Sequence, residues 1–88
     1  MKLLQFKQEN CTPCKMAAQF IENDLQTQAD ETYVMFAGDK EADALANRYG
    51  VMQSPTFVLV TDAGDKIDMV RGVGQQKLRA IFQKRGLI

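Results

Sequence analysis

KLLQFKQENCTPCKMAAQFI, from Lys2 to Ile21, decides how this chain is read. KLLQFK predicts a first strand over Lys2–Lys7. A helix is predicted from Thr12 to about Gln28. Pro13 stands in its first turn, where a missing N–H costs nothing. Met16, Ala17, Phe20, Ile21 and Leu25 recur at helical spacing and form one apolar face. Both cysteines of the chain, Cys11 and Cys14, fall where strand gives way to helix, with two residues between them. They are open to three uses: a metal clip, a structural staple or a working redox couple.

Outward from that stretch, TYVMFA (Thr32 to Ala37) is short and almost wholly apolar, as expected of a strand covered on both faces. DKEADALANRYG then predicts a second helix, capped by Asp39 and stopped by Gly50. Its apolar face is Ala42, Leu45, Ala46 and Tyr49. TFVLV (Thr56 to Val60) predicts a strand, TDAGD a hairpin turn, and KIDMVR (Lys66 to Arg71) an alternating strand after it. A last helix starts after Gly74 and carries Leu78, Ile81 and Phe82 on one side. The order β-α-β-α-β-β-α is an α/β architecture. Its first crossover is long enough for a right-handed parallel βαβ unit, and its hairpin adds an antiparallel edge. A four-stranded mixed sheet flanked by three helices, with helices on both faces, is the expected arrangement.

The chain of 88 residues has room for one core, so residues 1–88 are read as a single domain. It is 45% hydrophobic and 25% charged, ordinary for a globular protein. Eleven Lys and Arg balance eleven Asp and Glu. That neutrality gives no sign of nucleic acid or an anionic membrane as partner. The first ten residues do not resemble a secretory leader, and no run approaches a membrane span. A cytoplasmic protein is the expectation. There thiols are kept reduced, and a bridge across two residues closes too short a loop to stabilise much. The staple is the weakest of the three uses.

Metal is weak too. Structural zinc takes four Cys or His ligands, and this chain offers two cysteines and no histidine. Redox chemistry suits the spacing. Cys11 lies at the helix start, where free N–H groups and the positive end of the helix dipole favour an anion. Thiols so placed have pKa values lowered from about 8.5 to between about 3.5 and 7.5. Cys14 lies three, four and seven residues before Ala17, Ala18 and Ile21 and tends inward. Cys11 is therefore the expected nucleophile and Cys14 the resolving thiol. A Cys-x-x-Cys pair within a βαβ pattern is a thioredoxin-like redox motif.

Nearly the whole chain resembles the thioredoxin and glutaredoxin family. CTPCK resembles the thioredoxin active-site motif. YGVMQSPTFVLV resembles the segment carrying the family's cis-proline, here Pro55. DAGDKIDMVRGVG resembles the following hairpin and its glycine, here Gly72. The resemblance implies a dithiol-disulfide oxidoreductase that reduces protein disulfides and donates electrons to a cytosolic reductive enzyme. It implies catalysis by Cys11 and Cys14, and a substrate groove of Thr12, Pro13, Ser54, Pro55, Gly72 and Val73, with Asn10 and Met52 on its walls. It implies no bound cofactor beyond the Cys11–Cys14 disulfide, with electrons coming from NADPH through a thioredoxin-reductase-like flavoprotein. The expected partner is a disulfide-containing protein such as ribonucleotide reductase, and a monomer is expected.

The length resembles a glutaredoxin, since the strand and helix that begin a typical thioredoxin are absent. Asn10 stands where the family has a tryptophan before the first cysteine. Gln5 stands where thioredoxins bury an aspartate beneath the second. That aspartate moves a proton to or from the resolving thiol, which Gln5 cannot do. The glutaredoxin tyrosine is missing as well. A glutathione-dependent glutaredoxin, a non-catalytic module that keeps the fold for docking, and a metal-handling or dimer-forming protein are the other readings. Lys15 and Glu9 read as surface. Met16, Met35 and Met69 read as core filler.

Overall fold

The structure, a computed structural model, describes all 88 residues. Its elements run β1 (Lys2–Lys7), α1 (Thr12–Phe20), β2 (Glu31–Val34), α2 (Lys40–Tyr49), β3 (Thr56–Val60), β4 (Lys66–Arg71) and α3 (Gln75–Arg85). One sheet holds the strands in the order β2-β1-β3-β4. β1 and β2 are parallel, while β1–β3 and β3–β4 are antiparallel. This is the four-stranded mixed sheet with three helices expected from the sequence.

Alternation along β1 and β3 sends their side chains to two cores. On one face Leu3, Phe57 and Leu59 meet Ala17 and Phe20 of α1 and Leu78, Ile81 and Phe82 of α3. On the other, Leu4, Phe6, Val58 and Val60 meet Ala46 and Tyr49 of α2. All five residues of β3 are buried, as a central strand requires. Phe57 and Phe82 meet edge to face with ring centroids 5.9 Å apart.

Local signals account for α2. Asp39 Oδ1 accepts from the N–H groups of Glu41 at 3.0 Å and Ala42 at 3.2 Å. Gly50 ends the helix at φ +69°, a left-handed conformation in which only glycine is free of a Cβ penalty. Tyr49 Oη donates to the carbonyl of Gly64 at 2.6 Å, fastening α2 to the β3–β4 turn. At the same end of the sheet, Asp30 accepts from Leu3 N–H at 2.7 Å and from Arg85 Nε at 2.8 Å, joining α3 to the start of β1.

Three expectations are corrected. The first helix does not run regularly to Gln28. α1 ends at Phe20, a π-helical turn covers Ile21–Leu25, and Gln26 closes it at φ +54°. The wider turn keeps both Ile21 and Leu25 in the core. β2 is shorter than Thr32–Ala37 and is not covered on both faces. It is an edge strand, partly buried, and it stops at Val34. Met35 still enters the core, but Phe36 turns out to solvent at φ +59°, its N–H held by Asp43 Oδ1 at 2.8 Å. Met16 is 55% exposed rather than core, because the buried stripe of α1 centres on Ala17 and Phe20. Met69 is only partly buried, against the α2 side of the core.

Candidate active site

β1 delivers the chain to the site, and the turn at Asn10, φ +53°, redirects it into α1. Asn tolerates this left-handed conformation better than most residues. Cys11 is the N-cap of α1, with extended backbone (φ −107°, ψ +104°). Its sulfur does what a Ser or Asp oxygen does at other helix starts: it accepts from the N–H of Cys14, at 3.2 Å. Cys11 and Cys14 are joined as a disulfide, with Cα atoms 5.2 Å apart. The two sulfurs are not equivalent in access. Cys11 is part-exposed, whereas Cys14 is 5% exposed. Thr12 and Pro13, between them, face solvent.

The loop before β3 forms the opposite wall. Ser54 lies directly across from Cys11, whose sulfur is 4.0 Å from the Ser54 carbonyl oxygen and 3.4 Å from Ser54 Oγ. The Ser54–Pro55 peptide bond is cis. Pro55 is buried, and its carbonyl accepts from Gly72 N–H at 2.9 Å. Ser54 itself contributes neither its N–H nor its carbonyl to any backbone hydrogen bond. Gly72, at φ +86°, turns the chain out of β4, and Val73 packs against the α1–α3 core. Of the residues read as a groove, the structure thus brings Cys11 and Ser54 into contact and bonds Pro55 to Gly72. Thr12 and Pro13 form the exposed rim, Met52 stands out in solvent, and Val73 serves the core more than the surface.

Behind the disulfide is a cavity of about 430 Å³, floored by Gln5 and bounded by Gln8, Asn10, Cys14 and Ala18. Lys7, Glu9, Lys15 and Asp39 bring charge of both signs to its mouth. Gln5 is 8% exposed and projects to the α1 side of the sheet, like Leu3. No buried side-chain oxygen or nitrogen in the protein lacks a partner. The Gln5 amide makes no hydrogen bond within the chain and lines the cavity. No cluster of three or more potential metal-ligating side chains forms anywhere in the chain.

One residue of the site escaped the sequence reading. Gln8 Oε1 accepts from Ser54 Oγ at 2.7 Å. It lies just past β1, in no motif, and its partner is 46 positions away. No local signal marks such a pair.

The Cys11–Cys14 disulfide thus sits at a helix N-terminus of an α/β scaffold and faces a backbone segment with free hydrogen-bonding groups. Residues 1–84 match the family described as Thioredoxin. The chain is 32% identical over 84 residues to the SPbeta prophage-derived thioredoxin-like protein YosR of Bacillus subtilis, covering 96% of this chain and 98% of that protein. It is 33% identical to Thioredoxin H4 of Arabidopsis thaliana, covering 93% of this chain and 68% of that one. The solved structure of Malassezia sympodialis thioredoxin superposes with a TM-score of 0.69 at 29% identity, covering 93% of this chain and 71% of the other. The chain belongs to the thioredoxin family, whose members are disulfide oxidoreductases. No helix is long and apolar enough to cross a membrane.

Proposed function

We propose that this protein reduces disulfides in other proteins through Cys11 and Cys14. The observation that carries the reading is the unequal placement of the two sulfurs: Cys11 reachable at the helix N-cap, Cys14 buried one turn along. In the reduced protein the Cys11 thiolate attacks one sulfur of a substrate disulfide. A mixed disulfide forms and the other substrate sulfur leaves as a thiolate, which takes up a proton. Cys14 then loses its proton and attacks the Cys11 sulfur. The second substrate thiol is released, and the Cys11–Cys14 disulfide closes. Two electrons have passed from the protein to the substrate. The helix dipole and the Cys14 N–H lower the energy of the attacking anion. Burial shields Cys14 from outside disulfides, so it reacts only within the complex.

Substrate binding draws on the free N–H and carbonyl of Ser54, which suit pairing with an extended segment. Such β-augmentation takes affinity from main-chain hydrogen bonds and asks little of partner side chains. Thr12, Pro13, Pro55, Gly72 and Val73 frame that segment. The client class is a cytoplasmic reductive enzyme that closes a disulfide in each turnover, ribonucleotide reductase being the type. The protein acts as a monomer. Electrons come from NADPH through a thioredoxin-reductase-like flavoprotein. Lys7 and Lys15 are offset by Glu9 and Asp39 around the cavity beside Cys11, so no cluster of cations awaits the two carboxylates of glutathione. The test is NADPH consumption with insulin as disulfide acceptor, comparing that flavoprotein with glutathione plus glutathione reductase. Faster turnover with the flavoprotein is expected. Faster turnover with glutathione would place the protein with the glutaredoxins.

A further inference from the structure

The Ser54 hydroxyl has one proton and two neighbours able to take it. Gln8 Oε1 is 2.7 Å away, and Cys11 Sγ is 3.4 Å away. The balance between them depends on the state of the sulfur. A disulfide sulfur is a weak acceptor and an amide oxygen a good one, so with the disulfide closed the proton points to Gln8. A thiolate is an anion, and hydrogen bonds to ions are roughly twice as strong as neutral ones.

We propose that Gln8 is a positioning residue for thiol-disulfide exchange: it holds the Ser54 hydroxyl beside Cys11, and that hydroxyl turns from Gln8 to the Cys11 sulfur when the thiolate forms. This rests on the reading of Cys11 as the nucleophile. No proton is transferred in the turn; the O–H bond only rotates. Rotation of the Gln8 amide then presents Nε2–H to Ser54 Oγ. A chain of donors, Gln8 to Ser54 to Cys11, results, and each link polarises the next. The thiolate gains a second donor, since Cys14 N–H already reaches it at 3.2 Å.

The arrangement also explains why an uncharged residue sits at position 8. A carboxylate there would only accept, and would keep the proton from the sulfur. The charged groups around the site are Lys7 at the end of β1, Glu9 in the loop, Lys15 on α1 and Asp39 ahead of α2. Gln53–Pro55 has none, and beyond it Arg71 ends β4, next to Gly72. The Ser54 hydroxyl is thus the only side-chain donor recorded at the Cys11 sulfur.

The test is the rate at which iodoacetamide alkylates Cys11 in the fully reduced protein, from about pH 4 to about pH 10, which yields the thiolate pKa. Ser54→Ala is expected to lower the thiolate fraction below that pKa by about three- to tenfold. Ser54→Thr, which keeps the hydroxyl, restores it. Gln8→Ala shifts the pKa upward in the wild-type background and adds nothing to Ser54→Ala. An unmoved pKa in Ser54→Ala overturns the proposal. So does a Gln8→Ala effect of full size in the Ser54→Ala background, which would show that Gln8 does not act through Ser54. A purely structural role would change melting temperature without moving the pKa. Alkylation needs no disulfide substrate, so this result stands apart from whether the protein reduces insulin.

Discussion

The backbone N–H of Cys14 points at the sulfur of Cys11, 3.2 Å away, so in the proposed reaction the residue that resolves the mixed disulfide would also stabilise the anion that starts it. This follows from a Cys-x-x-Cys spacing laid on a helix N-terminus: the cap side chain accepts from the N–H three positions on. The same turn of helix buries Cys14 against the sheet and leaves Cys11 in reach of solvent.

Gln5 lines the cavity behind the disulfide, and Gln5→Asp tests what a titrating group does there. With a titrating group on the cavity floor, the rate of the resolving step should change near neutral pH. An unchanged rate from about pH 6 to about pH 9 would assign position 5 a structural role. The variant also has a stability signature. Burial raises a carboxyl pKa in the folded state, so the folded protein binds more protons than the unfolded chain, and stability falls as pH rises. Gln5→Asp should therefore lose more melting temperature at about pH 8 than at about pH 5. Equal losses would mean that the new carboxyl reaches water.

Asp30 links three elements, and its side chain is 22% exposed. Partial burial pushes its carboxyl up, but hydrogen bonds from Arg85 and Leu3 N–H, with the charge of Arg85, outweigh this and hold it below its ordinary value. A depressed folded-state pKa means stability that is present above the unfolded value, near pH about 4, and lost as pH falls through the folded one. Asp30→Ala should cost about 1–2 kcal/mol at neutral pH. Melting curves of wild type and variant should converge in acid. A difference that stays constant to about pH 2 would show the contribution is not ionic.

Phe82 is wholly buried and meets Phe57 edge to face. Phe82→Ala removes a side chain that both α3 and the sheet depend on, at a cost of about 3–5 kcal/mol. Domains of this size have about 5–15 kcal/mol in total, so urea unfolding should find the variant near the edge of folding. A loss under about 1 kcal/mol would mean that α3 collapses inward to refill the space.

Much of this architecture was legible from residues that act on their neighbours. Asp39 and Gly50 bound α2, Gly74 precedes α3, and period-two and period-3.6 patterns place the strands and helix faces. What escaped depends on distant partners. Gln26 closes the π-helical turn without being a glycine, because core packing of Ile21 and Leu25 outweighs its local preference. TYVMFA is apolar enough for a central strand, yet composition does not reveal that no strand pairs with β2 on its outer side. Met16 lies at the margin of the apolar stripe, where spacing alone does not separate buried from exposed. In the site, the cysteines and Pro55 announce themselves by motif. Gln8 and Ser54 meet only because β1 and β3 are adjacent in the sheet.

The division of labour between the two sulfurs is tested most directly by trapping. Cys11→Ser and Cys14→Ser, each reduced, are mixed with a protein disulfide, and the mixed disulfide is counted by mass. Cys14→Ser should accumulate a covalent complex through Cys11, because attack proceeds and resolution does not. Cys11→Ser should form almost none. Equal trapping by both variants, or trapping by Cys11→Ser alone, would contradict the assignment of Cys11 as nucleophile and Cys14 as resolving thiol.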